Sequence, residues 1–322
     1  MIVSVMKPPY NITPEILSLI SKISIKIGEV NARYLVKTNP TLRKQNQIKT
    51  IHSSLSIEGN TLTEDQITAI IENKRVVGPD KDITEVLNAL EIYKSISKLN
   101  FKKESDFLKA HKTLMSGLVL DHGVYRKQGV GIVKGTKVEH IAPPYQNVPY
   151  LMKDLFTYLK DESELTLIKS CVFHYEMEFI HPFVDGNGRM GRLWQTLILM
   201  SEFPLFEFLP FETLISKNQK HYYEALSKSD KVGHSTIFVE YMLGIIDKSL
   251  GELLLQSELK PKGEGRLQLF LNEFNGYFSR KDYIQYFKDI STATASRDLK
   301  EGLEAGVIEK IGDKAMTKYR KL

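Results

Sequence analysis

The stretch His181-Pro182-Phe183-Val184-Asp185-Gly186-Asn187-Gly188-Arg189-Met190-Gly191-Arg192 decides how the chain is read. Before it runs an apolar helical segment over 164–180, carrying Leu167, Ile168, Cys171, Val172, Tyr175 and Phe179 on one face. Pro182 lacks the N–H needed to continue that helix and disfavours helical torsions at the residue before it. Gly186-Asn187-Gly188 permits torsions that aim successive N–H groups at one point, and such a nest at a helix N-terminus binds anions. A new helix starts near Gly188 with Trp194, Leu197 and Ile198 on its buried side. Arg189 and Arg192 then share one face of its first turns. Cations there oppose the helix dipole by roughly 0.3–1 kcal/mol each. A polyphosphate removes that cost, and guanidinium forks match phosphate oxygens in pairs. Asp185 is the acid of the loop and suits Mg2+ held jointly with phosphate oxygens. His181 at the loop entrance suits a general base, since imidazole titrates near neutral pH.

Working outward, Thr13 caps a helix with Pro14 at its first position and an apolar stripe of Ile16, Ile20, Ile23, Ile27 and Val30. A second helix over 42–58 stops at Gly59-Asn60, where glycine supplies the left-handed cap. Thr63 with Gln66 reads as a capping box opening the next helix. Further helices are predicted at 83–99, 105–118 and 149–160. Between 123 and 149 the character changes. Val130–Val133 and Val138–Ile141 read as two short strands about a Lys134–Lys137 turn, either a hairpin packed on helices or an edge that pairs with a peptide. Lys260–Gly265 is a polar, Pro/Gly-rich linker candidate. Beyond it come helices over 266–275, 280–287 and 291–304, then strands over 307–311 and 318–320 joined at Gly312–Lys314.

The bulk properties fit this picture. The 322 residues are 42% hydrophobic and 26% charged, with a net charge of +5. That is an ordinary globular balance, not a disordered one. A single cysteine excludes a disulfide framework and any zinc site of several thiolates. The apolar runs are broken well before the ~20 residues a membrane span needs, and the N-terminus does not read as a signal peptide. The expectation is a soluble cytoplasmic protein without a membrane partner.

The 181–192 stretch resembles, at every fixed position, the signature of the Fic (Fido-fold) family, His-x-Phe-x-Asp/Glu-Gly-Asn-Gly-Arg-x-x-Arg. The resemblance implies a mainly α fold: a helical Fic core with a β-hairpin flap. It implies transfer of AMP from ATP to a protein Ser, Thr or Tyr hydroxyl, a nucleotidyltransferase reaction. His181 then looks like the base, Asp185 like the Mg2+ ligand and Gly186, Asn187 and Gly188 like the α-phosphate hole. Arg189 and Arg192 look like β- and γ-phosphate ligands. Gly188 stands where the phosphorylating Doc-type branch has lysine, which disfavours that branch. Residues 130–144 correspond to the family's flap, where a target segment docks by strand addition. Tyr222 and Tyr223 match a segment lining the adenine, although packing of their helix explains them equally well.

Ser54-Leu55-Ser56-Ile57-Glu58-Gly59-Asn60 resembles the family's inhibitory motif, placed upstream of the catalytic loop as in the class II type. By that resemblance Glu58 pairs with Arg192, Ser54 holds the inhibitory helix, and the enzyme is autoinhibited and modifies itself. Residues 266–322 resemble a winged helix-turn-helix, a module that takes either DNA or a protein partner. Family members commonly form homodimers. The expected organisation is 1–104 regulatory, 105–259 catalytic and 266–322 winged helix. The alternatives are a DNA-binding regulator whose Fic core senses nucleotide, and a bifunctional enzyme that also removes AMP.

Overall fold

A computed structural model describes residues 7–34, 40–134, 137–258, 263–274, 276–287, 290–312 and 317–322. Parts of several expectations fall outside these: the reading of Met1–Met6, the Gly135-Thr136 turn, residue 259 at the end of the expected catalytic region, Lys260–Lys262 of the linker, residue 275 at the end of a predicted helix, and Asp313-Lys314 of the last turn. The chain is mainly α. It divides into two units, Met1–Gly251 and Glu252–Leu322.

In the first unit, α1 (Pro14–Tyr34) begins where Thr13 Oγ1 accepts the Ile16 N–H at 3.2 Å. Its predicted stripe is the face it buries, with Ile16, Ile23, Ile27 and Val30 all in the core. The helix is tied to α11 (Thr236–Glu258) by Thr13 Oγ1 donating to Glu240 at 2.6 Å and by a 2.8 Å Lys26–Asp247 ion pair. α2 (Pro40–Ile57) packs on α4 (Asp80–Ser95) and α9 (Glu212–Lys217), with Ser53 bonded to Thr213 and Ser56 to Ser216. α3 (Glu64–Ile71) carries the expected Thr63–Gln66 capping box. α5 (Glu104–Leu114) stops short of the predicted 118, where Met115 takes non-helical torsions and the chain turns through Gly117 at φ +74°.

The centre of the unit is the pair α7 (Thr166–Ile180) and α8 (Asn187–Met200), with α6 (Val148–Tyr158) beside α7. α7 is buried over most of its length, and Cys171 is fully buried there. Burial pushes its thiol up to about 12, so it is an inert core residue. Phe107 of α5 fills the space between the two helices, 5.0 Å edge-on from Trp194 and 5.4 Å stacked on Phe183. The unbroken aromatic cluster makes the α7–loop–α8 corner a rigid platform. α10 (Gln219–Val232) completes the set.

A hairpin stands on this helical body. β1 (Gly131–Lys134) and β2 (Lys137–Ile141) are antiparallel, and the register shifts between Ile132 and Val133. Among the described residues no third strand joins them.

The second unit contains α12 (Glu264–Glu273), α13 (Arg280–Tyr286), α14 (Thr292–Glu304) and an antiparallel pair, β3 (Ile308–Ile311) and β4 (Lys318–Lys321). Its own core includes Leu267, Phe270, Phe278, Tyr283, Leu299 and Ile308. A buried fork fixes its helices: Arg266 donates to both oxygens of Asp298, at 2.7 and 2.9 Å, and Tyr283 OH reaches the same carboxylate at 3.2 Å. Among the described residues no helix of either unit is long and apolar enough to cross a membrane.

Candidate active site

The sequence builds the site by ending one helix and starting another. His181 is the C-cap of α7 and sits in left-handed torsions, φ +50° and ψ +58°. A non-glycine residue in that region is uncommon and marks a conformation fixed by its surroundings. Its N–H bonds to Met177 O at 3.1 Å. Its Nδ1 lies 3.4 Å from the carbonyl of Glu178. A carbonyl only accepts, so that contact suits the tautomer with the proton on Nδ1 and the lone pair on Nε2.

The loop that follows is pinned by Asn187. Its Oδ1 accepts the Phe183 N–H and its Nδ2 donates to Phe183 O, both at 2.9 Å. The Asn187 side chain is therefore committed to the loop, and what this residue offers a ligand is its main-chain N–H. Gly186, at φ +86°, is the N-cap of α8; a Cβ there would lie 2.7 Å from Met115 Sδ. Only glycine fits on both counts.

Three residues that the motif reading passes over hold this corner. His111 of α5 is fully buried and stacked on Phe183 with ring centroids 3.5 Å apart. Its Nδ1 accepts the Gly123 N–H at 2.8 Å, so its Nε2–H donates to Asp185 O at 2.9 Å. Burial pulls its pKa down to about 4, which keeps the ring neutral in that role. Arg126 supports the other side, with its main-chain N–H on Pro182 O at 2.9 Å. Glu85 of α4 is buried against Arg189. Acidic residues near the motif in space but about a hundred positions away in sequence give no local signal.

The two arginines are buried, Arg189 at 3% and Arg192 at 0% exposure. Arg189 Nη1 donates to Glu85 at 3.0 Å and Nη2 to Asp185 at 3.1 Å. Arg192 Nη2 donates to Glu58 Oε1 at 2.7 Å and to Ser54 O at 2.9 Å, while Nε reaches Ser54 Oγ at 3.2 Å. Burial by itself would lower the Arg192 pKa, but Glu58, Tyr222 and Glu178 hold it above its ordinary value. Among the described residues, Arg189 Nε and Arg192 Nη1 are buried with no hydrogen-bond partner. A buried donor left unpaired costs roughly 1–3 kcal/mol, so an acceptor delivered to either nitrogen would be stabilising.

Glu58 reaches this site because of how α2 ends. Gly59, at φ +89°, donates to Ser56 O, and the Asn60 N–H donates to Leu55 O, both at 3.1 Å. That pair of bonds is a Schellman motif, and it makes Glu58 the last residue before the turn. Its carboxylate lies over the N-terminus of α8, where a Cβ on Gly188 would be 2.5 Å from Glu58 Oε1. The turn is tied to the other arginine as well. Asn60 Nδ2 donates to Glu85 Oε2 at 2.8 Å, and Glu85 Oε1 is the oxygen bound to Arg189.

Asp185 Oδ1 accepts the Gly186 N–H at 2.6 Å and the Arg189 bond, and the side chain is about half exposed. Among the described residues no group of three or more His, Cys, Asp or Glu side chains forms a metal cage. One accessible carboxylate beside an anion site fits Mg2+, which is usually held by one or two carboxylates plus substrate phosphates.

The two tyrosines part company. Tyr222 is buried, its OH within 3.0 Å of His174 Nε2 and donating to Glu178 at 3.2 Å. It faces the core and offers no ring face to a base. Tyr223 is 41% exposed. His174 is buried with its Nδ1 on Gln195 at 2.7 Å, and burial draws its pKa down to about 3.

The Fic/DOC family matches residues 100–199, which include the whole loop. Protein adenylyltransferase fic-1 of Caenorhabditis elegans is 32% identical over 60% of this chain. Protein adenylyltransferase Fic of Nematostella vectensis is 30% identical over 69% of it. The chain spans only 38% and 52% of the lengths of these two relatives. A crystal structure of a Fic family protein from Desulfovibrio desulfuricans G20 is 41% identical, with a TM-score of 0.77, and the alignment covers 98% of each chain. The C. elegans Fic-1 structure, at 20% identity and a TM-score of 0.62, shares the fold over 77% of this chain. With a relative 41% identical over 98% of both chains and the signature loop folded between its two helices, the chain belongs to the Fic/DOC family.

Proposed function

We propose that the chain is a protein adenylyltransferase that moves AMP from ATP to a side-chain hydroxyl of a protein and that Glu58 holds it inactive. One observation carries the reading. Two buried guanidinium groups with unsatisfied nitrogens, Arg189 Nε and Arg192 Nη1, flank a glycine-lined helix N-terminus that follows His181 directly. The names of the relatives above point the same way.

In the reaction the target oxygen attacks the α-phosphorus in line. Its proton goes to His181 Nε2, and the bond from the α-phosphorus to the bridging oxygen breaks, so pyrophosphate leaves with the electron pair. The main-chain N–H groups of Asn187 and Gly188 stabilise charge on the α-phosphate, and Arg189 and Arg192 take the leaving phosphates. Asp185 would hold Mg2+, which neutralises charge on the phosphate oxygens. Tyr223, the half-exposed member of the tyrosine pair, would stack on the base. The β1–β2 hairpin supplies strand edges for the target segment.

Glu58 opposes this in two ways. Its carboxylate holds the Arg192 guanidinium through Nη2 beside the open Nη1, and its charge repels the incoming anion over Gly188. The decisive experiment incubates Glu58→Gly with ATP labelled at the α- or the γ-phosphate. Label should enter protein from the α position alone, and His181→Ala in the same background should lose transfer while still binding ATP. Transfer of the γ label, or transfer surviving His181→Ala, rejects the mechanism.

For the C-terminal unit we favour a protein partner over DNA. The exposed cations of its winged-helix-like α14 are already matched, Arg297 with Glu301 and Lys300 with Glu304, one turn apart. Pairing within α14 leaves that helix few free cations for phosphates.

A further inference from the structure

Arg126 lies between α5 and β1 with 3% of its surface exposed. Among the described residues, every bond of its guanidinium goes to a main-chain carbonyl. Nε donates to His181 O at 2.8 Å, and Nη2 donates to Ile180 O at 3.3 Å and to Pro143 O at 2.5 Å. Nη1 donates to Gln128 O at 2.9 Å. Gln128 precedes β1 and Pro143 follows β2, so the same side chain grips both legs of the hairpin at its root. On its other side it satisfies the last carbonyls of α7, including that of the left-handed His181. A cation suits that position, because the helix C-terminus carries partial negative charge.

We infer that Arg126 is a positioning residue that fixes the His181 imidazole and the target-docking hairpin in one frame. This rests on the reading of His181 as the base and of the hairpin as the docking edge. A hydroxyl presented along the hairpin must arrive within hydrogen-bond reach of His181 Nε2 and in line with the α-phosphorus. The helical platform places the base, and the hairpin places the hydroxyl. Two strands standing on a helical body with no third partner among the described residues have little rigidity of their own. The guanidinium fork supplies the shared reference, because its donors reach four carbonyls at fixed mutual angles. A lysine ammonium has three donors on one atom and cannot bridge both hairpin legs and the α7 terminus together.

The test uses the full chain carrying Glu58→Gly, with and without Arg126→Lys, and Arg126→Gln as a second variant should the lysine form not fold. Misplacement by about 1 Å costs on the order of a hundredfold in rate. AMP transfer should therefore fall about a hundredfold in kcat. ATP affinity measured by calorimetry should stay within about twofold, since the phosphate ligands lie on α8 and the loop before it. Two signals should move together: the His181 imidazole 15N resonances, and hydrogen exchange of the β1 and β2 amides. Transfer within threefold of the parent overturns the inference. So does a loss that tracks ATP affinity, or a His181 signal that shifts while hairpin exchange does not. If Glu58→Gly itself transfers no AMP, the functional reading fails by that result alone. The paired imidazole and exchange measurement then still decides whether Arg126 couples the two elements.

Discussion

Removing the Glu58 carboxylate should tighten ATP binding and weaken the ligand-free fold at once. The pair it forms with Arg192 is short, 2.7 Å, and its arginine is fully buried. A charge-assisted hydrogen bond of this kind is worth roughly 1.5–3 kcal/mol, and on the proposed reading ATP must break it to reach the guanidinium. Since about 1.4 kcal/mol is a factor of ten, Glu58→Gly should lower the Kd for ATP about 10- to 100-fold. The same substitution leaves Arg192 buried with Ser54 as its remaining partner. Breaking one side of a buried ion pair costs about 3–5 kcal/mol, and the low end applies because Ser54 still accepts two bonds. For a unit of this size that is a drop in Tm of roughly 6–12 °C without nucleotide. Saturating ATP at about 100 times Kd returns about 2.7 kcal/mol, most of the loss. Calorimetric titration gives the affinity, and thermal unfolding with and without ATP gives the stability. Glu58→Ala runs beside it, to separate loss of the carboxylate from the added flexibility of glycine at a helix end. An unchanged ATP affinity in both variants would show that Glu58 is not in the phosphate site.

Three further perturbations probe the scaffold. Glu85→Ala should cost about 3–5 kcal/mol, because it strips a buried partner from Arg189 and from Asn60 together; urea denaturation measures it, and a change below about 1 kcal/mol would deny the link. Stability should fall as pH drops. The folded-state pKa values of His111 and His174, about 4 and about 3, lie below the unfolded value of ~6.5, so the unfolded chain binds the protons more tightly. Their stabilising effect is whole above ~6.5 and is lost progressively toward 4 and then 3, with His111 alone accounting for about 3 kcal/mol; denaturation at pH 7.5, 5.5 and 4.5 should show that slope, and a flat profile would contradict it. Asp298→Ala should leave Arg266 without its fork and cost the second unit about 3–5 kcal/mol, seen as a new low-temperature transition in calorimetry of the whole chain.

What could be read from the sequence follows how local each interaction is. The Thr63 capping box, the Thr13 cap and the Gly59 stop are complete within a few residues, so spacing and residue type suffice. The hairpin is legible because two short β-type runs flank a polar turn, and the α7–α8 corner because Pro182 and Gly186-Asn187-Gly188 constrain the backbone itself. Arg126 was not, since its partners are carbonyls, which every residue carries. His111 and Glu85 were hidden for a related reason: each meets the loop across a long stretch of chain, and a buried histidine or glutamate looks ordinary in sequence. Tyr222 and Tyr223 show the limit most plainly. Adjacent helical positions point about 100° apart, so one turns to the core and the other to solvent. Both match the same segment, and the packing of α10 alone separates them.

The way Glu58 is mounted constrains how it can leave. Moving the whole turn would break the two Schellman bonds and pull Asn60 from Glu85, loosening Arg189 just when phosphate needs it. Each of those bonds is worth about 0.5–1.5 kcal/mol and the charged contact more, so displacement of the turn is the costlier route. Rotating the Glu58 side chain out of the site breaks the Arg192 pair alone. The carboxylate already has an outlet, since its side chain is 27% exposed while the guanidinium is wholly enclosed. Rotation also leaves Ser54 on Arg192 and the Asn60–Glu85–Arg189 chain intact, so the arginine that loses its carboxylate stays aimed at the loop. On the proposed reading the turn serves two ends with one geometry: it delivers a removable acid to Arg192 and, through Glu85, holds Arg189 for the nucleotide.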